Sequence, residues 1–232
     1  MKQIFMTVLR TTDVEAAERF YEAVLGVKPA GVMPLHERAI ARGAPPHWLG
    51  FVDVGDVDAA VADVVARGFT SLGPKWTNPE GLQAAYVRDP GGAVLALAKP
   101  PARPLAPSVP PAVYQSLDTP DVAGAIAAYG ELFGWRFDDP LHVEGHAFHP
   151  FAWEAGSPRV GVFGDSTRRP GIHPHWTYFF AVEALDAAVA RVEANGGVSV
   201  GILALPGGDR IAVCDDPQGA AFALYEASRG HR

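Results

Sequence analysis

Histidine is the residue type that most invites a chemical reading of this chain. His142, Glu144 and His146 alternate, and alternate residues of an extended strand share a face, so the three would point together with His149 close by. Imidazoles and a carboxylate so placed suit a divalent metal or acid–base work. Pro140, Gly145 and Pro150 favour a different reading, an exposed hairpin loop. His47 and His175 each stand in a Pro-His-Trp triplet, 46–48 and 174–176. There the choice lies between the rim of a pocket and a locally hydrogen-bonded imidazole whose neighbours Trp48 and Trp176 pack on helices. Cys214 is the single cysteine, in an apolar run with Ile211 and Val213, and reads as a buried, inert thiol. Gly91-Gly92 and Gly207-Gly208 are turns, since neither opens a helix that could cradle phosphate.

Composition narrows the classes. Of 232 residues, 48% are hydrophobic and 19% charged, as in ordinary globular proteins. A formal net charge of −7 speaks against nucleic acid or an anionic membrane as partner. One cysteine allows neither an intramolecular disulfide nor a multi-cysteine zinc site. No signal-peptide pattern follows Met1-Lys2, and no apolar run reaches the roughly 20 residues of a membrane helix. The expectation is a soluble cytoplasmic protein.

The elements that would position these residues come in repeats. Residues 99–112 hold six prolines in fourteen positions and predict an extended linker between a first domain, 1–98, and a second, 113–232. Residues 46–68 match 174–196 at 13 of 23 positions, too many for chance, so the halves are duplicates. Asp89-Pro90-Gly91-Gly92-Ala93 returns as Asp216-Pro217-Gln218-Gly219-Ala220. Within each half a shorter pattern repeats: an alternating run, an Asp, then an amphipathic stretch ending at Gly. Ile4 to Thr11 predicts a strand and Val14 to Leu25 a helix, capped by Asp13 and closed by Gly26. Further helices are predicted at 57–67, 122–133 and 185–194. Strands are predicted at 48–54, 83–87, 93–98, 210–214 and 220–225. The order is β-α-β-β, four times. The first unit is cramped, with a strand short or missing.

With these openings, the Phe20-Tyr21 and Leu25-Gly26 helix ends and the Asp-Pro-x-Gly turns, the chain resembles the vicinal-oxygen-chelate superfamily of glyoxalases, bleomycin-resistance proteins and dioxygenases. The resemblance implies an α+β fold. Four βαββ modules pair into two curled mixed-sheet cups with helices outside. It also implies three metal-ligand positions per cup, two on opening strands and one on the last strand. In the first half these hold Met6, Leu49 and Ala96, in the second Tyr114, Thr177 and Ala223. None of the first set can bind a hard divalent ion; in the second a Tyr114 tyrosinate could ligate one iron, but Thr177 and Ala223 offer nothing useful beside it, so no metal and no other cofactor is expected.

By strand parity the second cup presents Tyr114, Ser116, Thr177, Phe179, Ala223 and Tyr225, with His175 at the strand start and His149, Phe151 and Trp153 available from a longer hairpin. An apolar aromatic wall with a few hydroxyls suits a small-molecule pocket. Arg10 and Asp118 fall on the same faces, either for a polar ligand group or merely reaching the rim. The first cup, with Met6, Val8, Leu49, Phe51 and Ala96, looks self-filling. The leading expectation is a metal-independent binder of a small aromatic or amphipathic molecule in the second cup, with room for a homodimer. Against it stand a metal-dependent lyase or dioxygenase with ligands from the histidine-rich second half, and a metal-free enzyme using Tyr114 or His149. Whether there is catalysis is left open.

Overall fold

The computed structural model describes residues 2–41, 43–103, 111–168 and 173–228. Each half supplies one mixed sheet. The first contains β1 (Ile4–Thr11), β2 (Val32–Pro34), β3 (His47–Asp53), β4 (Thr70–Ser71), β5 (Trp76–Thr77), β6 (Gln83–Arg88) and β7 (Val94–Lys99), with order β2-β1-β3-β7-β6-β4 and β5 beside β6. The second contains β8 (Ala112–Thr119), β9 (Arg136–Phe137), β10 (Leu141–Val143), β11 (His146–Ala152), β12 (Gly161–Asp165), β13 (His175–Ala181), β14 (Val198–Ala204), β15 (Arg210–Asp215) and β16 (Ala221–Glu226), with order β10-β11-β12-β8-β13-β16-β15-β14 and β9 beside β11. The predicted linker is shorter than 99–112, because Lys99 ends β7 and Ala112 opens β8. Its residues 104–110 lie outside the described residues.

The helices form where the capping signals placed them. In α1 (Val14–Leu25) the Asp13 carboxylate accepts the Ala16 N–H, and Gly26 closes the helix at φ 75°. That left-handed angle costs glycine little. A one-turn helix, α2, spans Glu37–Ile40. Helix α3 is Val57–Val65, capped by Asp56, and α4 is Val122–Phe133, capped by Asp121 and closed by Gly134. The last helix, α5 (Leu185–Ala194), has no side-chain cap of its own at Ala184, and Glu226 accepts the Leu185 N–H instead. The cramped first module carries only the three-residue β2 after its helix. The fourth module gains a strand beyond the expected pattern, the seven-residue β14.

Packing divides the chain differently from the sheets. One compact unit comprises Met1–Met6, Gly50–Ala106 and Gln115–Trp176, the other Thr7–Leu49, Pro107–Tyr114 and Thr177–Arg232. Each unit therefore draws on both halves. In the second unit α1 lies beside α5, and the Phe20 and Tyr21 rings meet Phe222 edge-on at 5.9 and 5.2 Å. There Trp48 packs on Phe180 at 4.8 Å, and Arg191 donates to the Val24 carbonyl. In the first unit Phe69 meets Tyr129 at 5.9 Å, Lys2 donates to the Leu132 carbonyl, and the Trp135 indole N–H donates to the Lys2 carbonyl.

The Asp-Pro-x-Gly turns are anchored by these cross-half contacts. Asp89 Oδ1 accepts the Gly92 and Ala93 amides of its own turn, while Oδ2 accepts the Tyr129 hydroxyl at 3.0 Å. Asp216 repeats this in the other unit, with Gln218 and Ala220 amides on Oδ1 and the Tyr21 hydroxyl on Oδ2 at 3.2 Å. Both carboxylates are buried, and burial pushes their pKa upward against the opposing pull of these hydrogen bonds.

Candidate functional site

Two faces of the second-half sheet can be told apart by what they touch. Leu117 pairs with Phe163, and Phe163 packs on Tyr129 and Trp176, so Gln115, Leu117 and Thr119 look toward the helices. Tyr114, Ser116 and Asp118 therefore look the other way. On β13, Trp176 is on the helix face with Tyr129, which puts His175, Thr177 and Phe179 on the face away from the helices. Phe179 lies opposite Ala223 on β16. Tyr114, Ser116, His175, Thr177, Phe179, Ala223 and Tyr225 thus stand on the sheet face away from the helices.

Within the second unit five of these gather. Tyr114 meets Phe179 edge-on at 5.6 Å and lies nearly parallel to Tyr225, with centroids 6.5 Å apart. Thr177, Phe179 and Ala223 are buried at 3%, 5% and 0% exposure, so the floor of this face is covered, while Tyr114 and Tyr225 remain half-buried at its edge. Two residues absent from the sequence expectation complete it. Val213 lies opposite Ala223 and Ile211 opposite Tyr225 on β15. The Tyr225 hydroxyl donates to Asp209 at 2.5 Å. Burial and then Asp209 raise the Tyr225 pKa, so the phenol stays neutral. Ser116 shares the Tyr114 face of β8 and lies opposite Val162 on β12. Asp118, on that same face, is also buried.

His149 and Trp153 are not on this face. His149 lies opposite Phe163, and Phe151 stacks on Trp135 at 5.0 Å, so the odd-numbered residues of β11 turn toward α4. Trp153 packs edge-on against Trp135 at 4.8 Å. The hairpin turns because its large odd-numbered side chains fill the aromatic core beneath α4. Nor do His142, Glu144 and His146 share a strand face. Glu144 and Gly145 are the turn itself, with φ 50° and 80°, and His142 lies opposite Ala147 while Val143 lies opposite His146. Positive φ at both central residues is the tight hairpin geometry that matches strand twist.

His47 and His175 take the local role. Each ring pairs through Nδ1 with the carbonyl two residues earlier, Pro45 at 2.9 Å and His173 at 2.6 Å. Burial, and then the nearby Arg10 guanidinium, lower the His47 pKa, while the Pro45 carbonyl opposes them. The two tryptophans that follow pack on Tyr21 and Tyr129, as the triplet reading expects. Cys214 is fully buried and its thiol is pushed up to about 11 by burial, which leaves it protonated and unreactive.

The first-half sheet is more aromatic than its sequence suggested. Phe51 and Tyr86 both lie opposite Ala96, with rings 6.4 Å apart, and Trp76 stands 6.0 Å from Tyr86. Among the described residues the buried Trp76 indole N–H has no hydrogen-bond partner. Tyr86 was within reach of sequence reasoning, since it sits at the right parity on a predicted strand. Trp76, on a strand of two residues, gave no periodic signal.

The model of the Glyoxalase/Bleomycin resistance protein/Dioxygenase superfamily matches residues 3–97, and that of the Glyoxalase-like domain matches residues 115–225. The chain belongs to this superfamily. CFP32 of Mycobacterium tuberculosis, which bears the name of a glyoxylase, is 29% identical over 94% of this chain and 92% of its own. DnrV of Streptomyces peucetius, an anthracycline biosynthesis protein, is 33% identical over 52% of this chain and 47% of its own. The Mn(II)-bound glyoxalase of Novosphingobium aromaticivorans shares the fold, with a TM-score of 0.63 and 16% identity over 97% of this chain and 83% of its own.

The superfamily's metal positions can be tested against the donors present. Met6, Leu49 and Ala96, like Tyr114, Thr177 and Ala223, offer one thioether, two hydroxyls and three hydrocarbon side chains. No carboxylate or imidazole stands among them. Among the described residues no group of three histidine, cysteine, aspartate or glutamate side chains could hold an ion. The six positions do not fit a divalent metal. Among the described residues no helix is long and apolar enough to cross a membrane.

Proposed function

We propose that this glyoxalase-like protein is a metal-independent, cytoplasmic binder of a small aromatic or amphipathic molecule, taken up on the helix-free face of the second-half sheet. One observation carries the reading. Two near-parallel phenol rings, Tyr114 and Tyr225, flank a floor of Phe179, Thr177 and Ala223. Aromatic faces and apolar floor favour burial of a planar ring, and the hydroxyls orient it. The likeness to a protein of anthracycline biosynthesis supports the same ligand class, since anthracyclines are polycyclic aromatics.

A thermal-shift screen of planar aromatics, an anthracycline included, tests this. Ala223→Trp should abolish binding of a hit, and Ala96→Trp should leave it intact. Because a tryptophan in a fully buried site risks misfolding, Tyr114→Ala supplies a second arm, with binding weakened about tenfold. Loss with Ala96→Trp and not with the second-half variants would move the site to the first half. Elemental analysis after growth with zinc, iron and manganese should find no stoichiometric ion. A tightly held ion lost on replacing His149 or His175 would instead favour a metal-dependent lyase or dioxygenase.

A further inference from the structure

Each sheet has two edges, and three of the four strands that form them are short. β2 has three residues and ends at Pro34, β4 has two, and β10 has three and follows Pro140. Short edges and proline are ordinary ways to keep a sheet from pairing with another chain. The fourth edge strand, β14, has neither. It runs for seven residues, Val198–Ala204, with no proline and no charged side chain. Among the described residues it pairs with β15 alone, so its outer row of backbone amides and carbonyls has no strand beside it. Hydrophobic side chains gather at the same edge. Val198, Val200 and Ile202 are 61%, 80% and 40% exposed, and Val213, opposite Gly201 on β15, is 38% exposed. The register shift between Ser199 and Gly201 makes Val200 the extra residue of a bulge. Residues 201–204 then pair one for one with 213–210, so the regular part of the edge surrounds Ile202.

We propose that this edge binds a second copy of the chain, with β14 pairing antiparallel to β14 about a two-fold axis at Ile202. An open sheet edge fits an extended strand, which alone satisfies its row of backbone groups. The same strand from a second copy matches it on charge and on symmetry. Pairing about Ile202 sets Ile202 against itself, Gly201 against Leu203 and Val200 against Ala204, so every opposed pair is uncharged. A chain of net charge −7 repels its own copy, and this strand sets no like charges opposite each other. A two-fold contact uses the same patch on both copies, so one pairing closes both exposed edges and the assembly stops at two. Seven residues a side make a small contact, at the low end of specific interfaces. The dimer is therefore reversible, with Kd of about micromolar order. This surface does not depend on the ligand or the metal content of the aromatic face.

The test is sedimentation equilibrium of the full chain from about 1 μM to about 1 mM, with the mass expected to rise toward that of two chains. Ile202→Lys should raise Kd about tenfold or more, because it sets two like charges against each other on the axis. Ile202→Asp should do the same, and an equimolar mixture of the two variants should pair again as a heterodimer. Val200→Lys, at the most exposed of these side chains, supplies a second variant should the Ile202 replacements not fold. Met33→Lys, an exposed position on β2, should leave the dimer unchanged. Amide hydrogen exchange in β14 should slow as the concentration rises. A monomer at every concentration would leave the edge to an extended segment of another protein and overturn the proposal. So would a dimer that survives the lysine variants with β14 exchange unchanged, which places the contact elsewhere. Weakened pairing that the Lys and Asp mixture does not restore would overturn the axis at Ile202.

Discussion

Asp89 and Asp216 illustrate how one residue type does two jobs here. Each closes its own turn with one oxygen and accepts a tyrosine from the other half with the second. The tyrosines must stay protonated to donate, and for Tyr21 burial and then Asp216 keep the pKa well above its ordinary value. The two aspartates carry pKa values raised by burial. A raised folded-state pKa adds stability that is complete below the unfolded value, about 3.9 for Asp, and is lost as pH rises through the folded value. Asn at both positions removes that dependence, at a cost of about 1–3 kcal/mol for each disturbed buried hydrogen bond. Urea midpoints from pH 3.5 upward should therefore show wild type losing its advantage over Asp89→Asn/Asp216→Asn as pH rises. A difference constant with pH would mean that burial does not shift these groups. The Asp-Pro-x-Gly turns were legible in the sequence, but the partners were not, because Tyr21 and Tyr129 are distant in sequence from the carboxylates they meet.

At the scale of elements, the helices read well and the middle strands did not. Asp caps and terminal glycines fixed α1 and α4 at the residues expected, because capping is local chemistry. Strand β14 was missed although Val198, Val200 and Ile202 alternate with Ser199 and Gly201; all three are exposed at the sheet edge, and the register shifts between Ser199 and Gly201. The face of β11 was misjudged because parity alone cannot say which set of large side chains the helix will take. Gly161, where β12 begins, shows how tightly that choice is enforced. A Cβ there would stand 2.2 Å from the Gln115 carbonyl and 2.4 Å from the Phe151 ring. Both neighbours are buried and one is backbone, so neither can yield cheaply. Gly161→Ala should cost about 1–3 kcal/mol, read as a lowered denaturation midpoint. An unchanged midpoint would show that β11 and β12 pack less closely than this.

For the whole molecule, duplication and packing cut the chain along different lines. The repeat separates residues before the proline-rich segment from those after it, and each sheet is built from one side. Each compact unit, however, combines a module from both sides. In one, Phe20, Tyr21 and Trp48 are covered by Phe222 and Phe180. In the other, Phe69 and Asp89 meet Tyr129. A half expressed alone would therefore expose several large rings and leave buried polar groups such as Asp89 and Asp216 without their tyrosines. Losing one buried aromatic contact surface costs about 3–5 kcal/mol, and a domain's whole stability is about 5–15 kcal/mol. Residues 1–103 or 111–232 produced separately should thus lack a cooperative thermal transition as monomers. Mixed or co-expressed, the two pieces should associate and recover one, because each supplies contacts that the other needs. A first half that melts cooperatively by itself, with its Tyr21 and Trp48 fluorescence buried, would mean that the shared packing contributes little to holding the fold together.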